Sequence, residues 1–295
     1  MELLDALPSI SRLSKTVTRV LGQNPGKFTL QGTNTYLLGE RNPYILVDTG
    51  EGKDTYAPLL QEALLDPARE HDTSVPRISD IVLTHRHHDH TNGLPSIPLP
   101  TPNTGLSTLL SSFTPDSFAP SPSGAPLHDL ADGDTLPVTS SSPTPATLRV
   151  LHTPGHTPDS LCLFYAPDRA LFTADTVLGQ GSSVFEDLGP YMRSLAAMTY
   201  TRLYPGHGPV VEDGLVKVET YLKHRVEREE QIVRVLQAEG EREEGRSVEE
   251  IVATIYARYP KDLWGPAAHS VGLHLTKLLE DGRVEKVGEK WVVIA

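Results

Sequence analysis

The sequence predicts a mixed α/β fold of layered sheets and helices over residues 1–214, followed by a small helical unit with a terminal hairpin over 215–295. Three observations carry that prediction. Short apolar runs alternate with a helical repeat in the first half, several of those runs stop at a turn that carries a histidine or an aspartate, and the character changes to long helices after Gly214. The chain has 295 residues, 38% of them hydrophobic and 22% charged, with a formal charge of -12, which fits an ordinary globular protein and not a disordered one.

In chain order, TVTRVLG (16–22), NTYLLG (34–39) and PYILVD (43–48) read as strands, because β-branched and apolar residues run between turn formers. TYAPLLQEALLD (55–66) repeats its apolar residues at helical spacing, and ISDIVLT (78–84) returns to strand. From Leu94 to Ala146 the chain is rich in Pro and Ser, which predicts an irregular segment with short ordered pieces near LHDLADGDTL. TLRVLHTPGH, LCLFYA and RALFTADT then resume the strand pattern, each closed by a turn.

After Gly214, LVKVETYLKHRVEREEQIVRVLQAEG is one long helical pattern. SVEEIVATIYARY opens on a capping box of Ser247 and Glu250. AAHSVGLHLTKLLEDG is a helix ended by Asp281-Gly282, and RVEKVGEKWVVIA is a hairpin. That order is the order of a winged helix. Its basic residues Arg258, Lys261, Lys277, Arg283, Lys286 and Lys290 are offset by Glu249, Glu250, Asp262, Glu280, Asp281, Glu285 and Glu289, so packing against the main domain or a second copy of the chain is expected ahead of nucleic-acid contact.

No apolar stretch approaches the roughly 20 residues that cross a bilayer. MELLDALPSISRL lacks the basic start and long apolar region of a secretory signal, so a cytosolic address is expected, with a mitochondrial one as the alternative. Cys162, the one cysteine, lies in SLCLFY and is expected to be a buried structural thiol. The acidic balance weighs against an extended nucleic-acid surface.

THRHHDH (84–90) places four histidines and an aspartate at the end of a strand. His85 and His87 alternate as neighbours on extended chain and can converge on one ion; Asp89 and His90, on the following turn, can face a second. Imidazole and carboxylate are donors that zinc, manganese or iron accepts. His88 falls out of that register. Such a site needs more ligands, and three other strand ends offer them: His156 in HTPGHTPD, Asp175 in LFTADTV and His207 in LYPGHGP.

HxHxDH followed by TPGHT, FTAD and YPGHGP in that order resembles the metallo-β-lactamase fold superfamily over residues 16–210. GQNPGKFTLQGTNTYLLG, ILVDTGEG and TVLGQGSSVFEDLGPYMRSL, with the winged-helix-like end, extend the resemblance to the branch of β-lactamase-like endoribonucleases. The same stretches resemble thioesterases that release acyl chains from fungal polyketide synthases. The resemblance implies a four-layer αβ/βα sandwich with the site at one edge of the two sheets. It also implies a first metal on His85, His87 and His156, a second on Asp89, His90 and His207, and Asp175 between them. Ser160 stands where those relatives usually carry a further His.

Paired ions roughly 3.5–4 Å apart generate a metal-bound hydroxide near neutral pH and polarise the substrate, with Asp89 and Asp175 as the catalytic carboxylates. This scheme serves phosphodiesters and thioesters alike. Single-stranded RNA is the first expected substrate, an acyl thioester the second, and an iron-dependent redox reaction the third. Related di-iron reductases usually carry a carboxylate at the position of His87, which favours hydrolysis. Hydrolysis of β-lactams does not follow from the fold. Asp48 in ILVDTGEG reads equally as a hydrogen-bond partner of a ligand histidine or as a turn cap. Thr33, Asn34 and Thr35 read as supports of the site. Tyr191, Arg193, His224 and Arg225 are candidates for contact with a charged substrate group.

Overall fold

The computed structural model describes residues 4–97, 108–111, 127–238 and 245–294. Seven strands form a first sheet in chain order: β1 (Ile10–Arg12), β2 (Val17–Leu21), β3 (Asn34–Leu38), β4 (Tyr44–Val47), β5 (Ile78–Leu83), β6 (Thr108–Ser111) and β7 (Leu127–Asp129). Pairing is antiparallel from β1 to β4 and parallel from β4 to β7. The second sheet has the order β12-β11-β10-β9-β8, from β8 (Thr135–Val138), β9 (Ala146–His152), β10 (Leu161–Tyr165), β11 (Ala170–Ala174) and β12 (Arg202–Pro205). Only its β11–β12 pair is parallel.

The strands β2, β3, β4 and β11 are buried at every residue because both sheet faces are covered; β4 is an unbroken apolar run, while β2 and β3 bury Thr18, Arg19, Asn34 and Thr35 as well. Val17, Tyr36, Leu38, Ile45 and Val82 of the first sheet meet Leu148, Val150, Leu163 and Phe172 of the second. On the far face of the first sheet, Leu37, Leu46 and Ile81 pack on Tyr56, Leu60 and Leu64 of α1 (Tyr56–Leu64). On the far face of the second, Cys162, Leu171 and Leu203 pack on α3 (Leu188–Ala196) and on Val218 and Tyr221 of α4 (Gly214–Leu236). Helix, sheet, sheet, helix is the expected four-layer sandwich. Between them in sequence lies α2 (His88–Thr91), one turn long.

The C-terminal end of α4 enters a separate core. Ile232 and Leu236 join Ile251 and Val252 of α5 (Val248–Ile255), Val271, Leu275 and Leu278 of α6 (Trp264–Glu280), and Val284 and Trp291 of the hairpin β13 (Val284–Val287) and β14 (Lys290–Val293). The capping box is present, with Ser247 and Glu250 each bonded to the other's backbone. One helix thus serves two cores, which makes the winged helix a wall fixed to the sandwich.

Two elements differ from the sequence reading. The strand β1 lies in a stretch whose Ser and Arg residues give no apolar alternation, and it forms as an edge partner of β2. Within 94–146, β6 continues the parallel array where a Pro/Ser-rich composition predicted irregular chain; residues 98–107 and 112–126 of that segment lie outside the described ones. No described helix is long and apolar enough to cross a membrane.

Candidate metal centre

The site forms where the C-terminal ends of β4, β5, β11 and β12 meet. β5 stops at Leu83, and the chain turns because Thr84 is tied to the end of β4: its N–H and Oγ1 donate to Asp48 at 2.8 and 2.9 Å. Thr49 in turn donates its N–H and Oγ1 to the His90 carbonyl at 2.8 and 2.9 Å, clamping α2 in place. Gly93 is required there, since a Cβ would stand 1.8 Å from the Thr49 carbonyl oxygen.

His156 is presented by a turn in which Gly155 holds φ +133° and lies against the backbone of Tyr191. Ser160 closes that turn, accepting from the Thr157 N–H at 3.1 Å and bonding the Thr157 hydroxyl at 2.7 Å. The serine at this departure from the relatives' pattern is therefore a buried structural group. Asp175 follows β11, and Gly206 follows β12; a Cβ on Gly206 would stand 2.4 Å from Asp175 Oδ1. Asn34 joins the two sheets at this point, donating Nδ2 to the Pro205 and Gly208 carbonyls at 2.8 and 2.9 Å, and so fixes the loop that carries His207.

The structure brings all seven predicted side chains together. His85, His87, His156 and Asp175 form one group and Asp89, His90 and His207 another, each with one potential ligand atom per residue within 4.8 Å of its fellows. His87 Nδ1 lies 3.1 Å from His85 Nε2 and 3.0 Å from His156 Nε2. In the second group, His207 Nε2 is 3.1 Å from Asp89 Oδ2 and 3.4 Å from His90 Nε2. Asp175 lies between the groups, 3.7 Å from His156 Nε2 and 3.3 Å from both His90 Nε2 and His207 Nε2. His88 is exposed.

These residues fit divalent metals. The histidines spend their outward nitrogens on fixed partners: His90 Nδ1 donates to Asp48 at 2.7 Å, His156 Nδ1 to the Val184 carbonyl at 2.8 Å, and His85 Nδ1 meets the Thr84 hydroxyl at 3.1 Å. The inward nitrogens are left with lone pairs facing one another, and Asp175 Oδ1 is buried without a hydrogen bond. A cation is the natural partner for such converging acceptors. Asp48 is thus both turn residue and support for His90.

Burial, then the nearby His90 and His156, hold the His85 imidazole well below its ordinary pKa, and burial lowers His87 as well. Burial would also lower His90 and His207, but the surrounding carboxylates, Asp175 foremost, hold His90 well above the ordinary value and lift His207 to about 9. The same imidazoles overcome burial to keep Asp89 and Asp175 ionised. A cation bound by the second group would compete with protons for the same nitrogens.

A cavity of about 590 Å³ opens over the site, reaching His87, Asp89, His156, Asp175 and His207 of the seven residues. Lys27, Phe28 and Leu30 line one side, and Leu178, Ser182 and Val184 the other. Sequence reasoning missed these rim residues. The available signal was an aromatic residue inside Pro25-Gly26-Lys27-Phe28, and Phe28 is indeed 74% exposed.

The four substrate-contact candidates fare differently. Tyr191 is fully buried and donates its hydroxyl to the Thr176 carbonyl at 2.8 Å, so it lies beneath the site and touches no substrate. Arg193 is exposed on α3 and does not line the cavity, because it points from the helix face opposite Tyr191's core contacts. His224 and Arg225 line a second, smaller cavity. Arg225 also donates to the Ser183 carbonyl at 2.7 Å and lies 4.7 Å over the Phe185 ring. Cys162 is buried, and desolvation pushes its thiol up to about 11.

Residues 28–218 match the Metallo-beta-lactamase superfamily, and residues 247–291 match the Beta-lactamase associated winged helix domain. A Beta-lactamase-like protein 2 homolog of Caenorhabditis elegans is 39% identical over 97% of this chain and 91% of that protein. The Lactamase-like protein aptB of Emericella nidulans is 37% identical over 95% and 86%, and an Atrochrysone carboxyl ACP thioesterase of Aspergillus chevalieri 36% over 88% and 79%. A Beta-lactamase domain protein from Burkholderia ambifaria shares the fold, with a TM-score of 0.75 at 19% identity over 98% of this chain and 96% of that one.

Proposed function

The chain belongs to the metallo-beta-lactamase superfamily, and from that premise we propose that it is a two-metal hydrolase of acyl thioesters. His85, His87 and His156 would hold one ion and Asp89, His90 and His207 the other, with Asp175 placed to serve both. Zinc suits this donor set, with manganese or iron as alternatives. When bound, the ions supply Lewis acidity and lower the pKa of water.

One observation carries the choice of substrate: the cavity above the ligands is walled by Phe28, Leu30, Leu178 and Val184, and Lys27 is its one lysine or arginine among the described residues. An acyl chain gains by burying apolar surface there, at about 25 cal/mol per Å². Single-stranded RNA requires cations along its backbone, and a net charge of -12 gives no general attraction for it. The thioesterase name of the Aspergillus relative agrees with this order. RNA therefore moves to second place.

The chain's own residues have defined parts in the reaction. Asp48, Thr84 and the Val184 carbonyl fix the tautomers of His90, His85 and His156. Phe28 and Val184 hold the acyl chain and exclude water beside the carbonyl. Asp89, held at 3.4 Å by the Thr33 hydroxyl, orients the attacking water and accepts its proton, which passes to the departing thiolate. The bond broken is acyl carbon to sulfur, and the products are a carboxylate and a thiol.

The test is a pair of assays on metal-loaded protein, one with an acyl thioester and one with a fluorogenic RNA oligomer, each repeated with Asp89→Ala. Hydrolysis of the thioester, reduced at least about 100-fold by the substitution, is expected. RNA cleavage with an inert thioester would reverse the order of the two readings. Metal content of the purified protein separates zinc from iron and with it hydrolysis from redox chemistry.

A further inference from the structure

A second cavity, of about 300 Å³, lies between α4 and the winged helix. Its walls are Arg225, Arg228 and Gln231 of α4, Tyr256 beyond the end of α5, and Ser270 and His274 of α6. Ser182 lines both this cavity and the one over the metal ligands. The partition between them is one loop, whose consecutive carbonyls point opposite ways: Ser183 accepts from Arg225 at 2.7 Å and Val184 accepts from His156 at 2.8 Å.

Among the described residues neither guanidinium of this cavity has a carboxylate partner; Glu229, the buried acid behind the wall, meets His274 at 3.9 Å and Lys277 at 3.0 Å instead. Arg225 spends one nitrogen on Ser183, and its buried Nε has no partner. Arg228 sits over the Tyr256 ring at 4.6 Å and makes no hydrogen bond or ion pair among the described residues. Glu227, the carboxylate on the rim, leans toward Lys223 at 3.9 Å. Two guanidiniums three residues apart on one helix repel each other, yet in a chain of net charge -12 they stand unpaired. Planar guanidinium donors match a phosphate, and Gln231 and Ser270 add neutral donors.

We propose that this cavity binds the phosphate at the far end of a pantetheine-type arm, while the thioester at the near end of the same arm lies over the metal ligands. The inference rests on the thioester reading. It gives the winged helix a task, since α6 and the end of α5 complete the phosphate pocket. An acyl group borne on a phosphorylated arm is thereby selected over the same group on a simple thiol.

The test uses the metal-loaded full chain and one acyl group on two carriers, pantetheine and 4′-phosphopantetheine. The phosphorylated substrate is expected to have a KM about tenfold lower, and Arg228→Gln is expected to erase that difference. Gln231→Glu, which adds a carboxylate to the pocket, should erase it too, so misfolding of one variant does not decide the matter. Equal KM values in the unsubstituted protein, or a preference that survives both substitutions, overturn the inference. Calorimetry with S-methyl-4′-phosphopantetheine, which cannot be hydrolysed, separates the two claims. Binding that Arg228→Gln weakens about tenfold supports the pocket even where no thioester is cleaved, and then only the hydrolytic reading falls. Binding of an RNA oligomer that depends on Arg228, with none of the S-methyl compound, overturns the inference in favour of nucleic acid.

Discussion

Replacing Asp48 by Asn tests whether the ligand histidines are held by their outward hydrogen bonds. Asp48 sits at φ +58°, a conformation Asn tolerates, so the substitution leaves the backbone unstrained. The carboxylate accepts three bonds: Thr84 N–H at one oxygen, and Thr84 Oγ1 and His90 Nδ1 at the other. An amide has only one accepting oxygen. If that oxygen faces Thr84 N–H, the NH2 group meets His90 Nδ1–H, the imidazole must shift its proton to Nε2, and that nitrogen no longer offers a lone pair to a metal. Loss of such support costs roughly 10–100-fold in metal affinity, about 1.4–2.7 kcal/mol. If the amide turns over, His90 keeps its tautomer, but a buried backbone N–H faces a donor, at about 1–3 kcal/mol of folding stability. Competition with a chromogenic chelator reads the first outcome and the melting temperature of metal-free protein reads the second, at roughly 2–4 °C per kcal/mol. One of the two must move. Unchanged affinity together with an unchanged melting temperature would refute the argument that Asp48 orients His90.

Three further outcomes are expected. Gly206→Ala should cut metal content and hydrolysis by at least about tenfold, since its Cβ would stand 2.4 Å from Asp175 Oδ1 and 2.9 Å from His90 Cε1; elemental analysis checks it. Removing metal with a chelator should lower the melting temperature, because ions that bind only the folded chain at about 100 times their Kd contribute about 2.7 kcal/mol, and restoring zinc should reverse the shift. Cys162, whose thiol burial pushes up to about 11, should resist alkylation at pH 8, because it is enclosed and little of it is ionised there; its modification in native protein, read by mass spectrometry, would contradict the packed second sheet.

The sandwich was legible in the sequence because strands covered on both faces cannot hide. YILV and ALFTA are apolar at all but one position and lead directly into Asp48 and Asp175, while NTYLL opens on Asn34, which holds the His207 loop. The ligands were legible for a related reason: Asp175 follows β11 directly, and His207 and His156 stand two and four residues past the ends of β12 and β9, in turns marked by Pro and Gly, although Asn34 and the Val184 carbonyl, distant in sequence, complete their placement. The cavity rim was not. Phe28 and Val184 acquire their role only from how two loops, one from each half of the chain, face each other across the ligands, and no periodicity encodes that. Tyr191 shows the converse error. GPYMRSL has the look of a substrate-binding turn, but Gly155 brings the TPGH loop so close to α3 that the ring is enclosed.

The loop 181–185 joins these observations into one physical relation. Its Val184 carbonyl fixes the His156 tautomer, its Val184 side chain forms the apolar rim, and its Ser183 carbonyl is held by Arg225 from α4. Phe185 is stacked on Tyr191 with ring separation 5.4 Å, and Arg225 lies against both rings, at 4.7 and 5.9 Å. A loop rich in Gly and Ser has little stiffness of its own, so its geometry is imposed from the helix behind it. That helix is the same one whose other end forms the core with the winged helix. Removing the C-terminal helices should therefore disturb His156, on the far side of the loop, even though none of them supplies a metal ligand. The expected route of that disturbance is the pair of consecutive carbonyls, Ser183 held by Arg225 and Val184 holding His156.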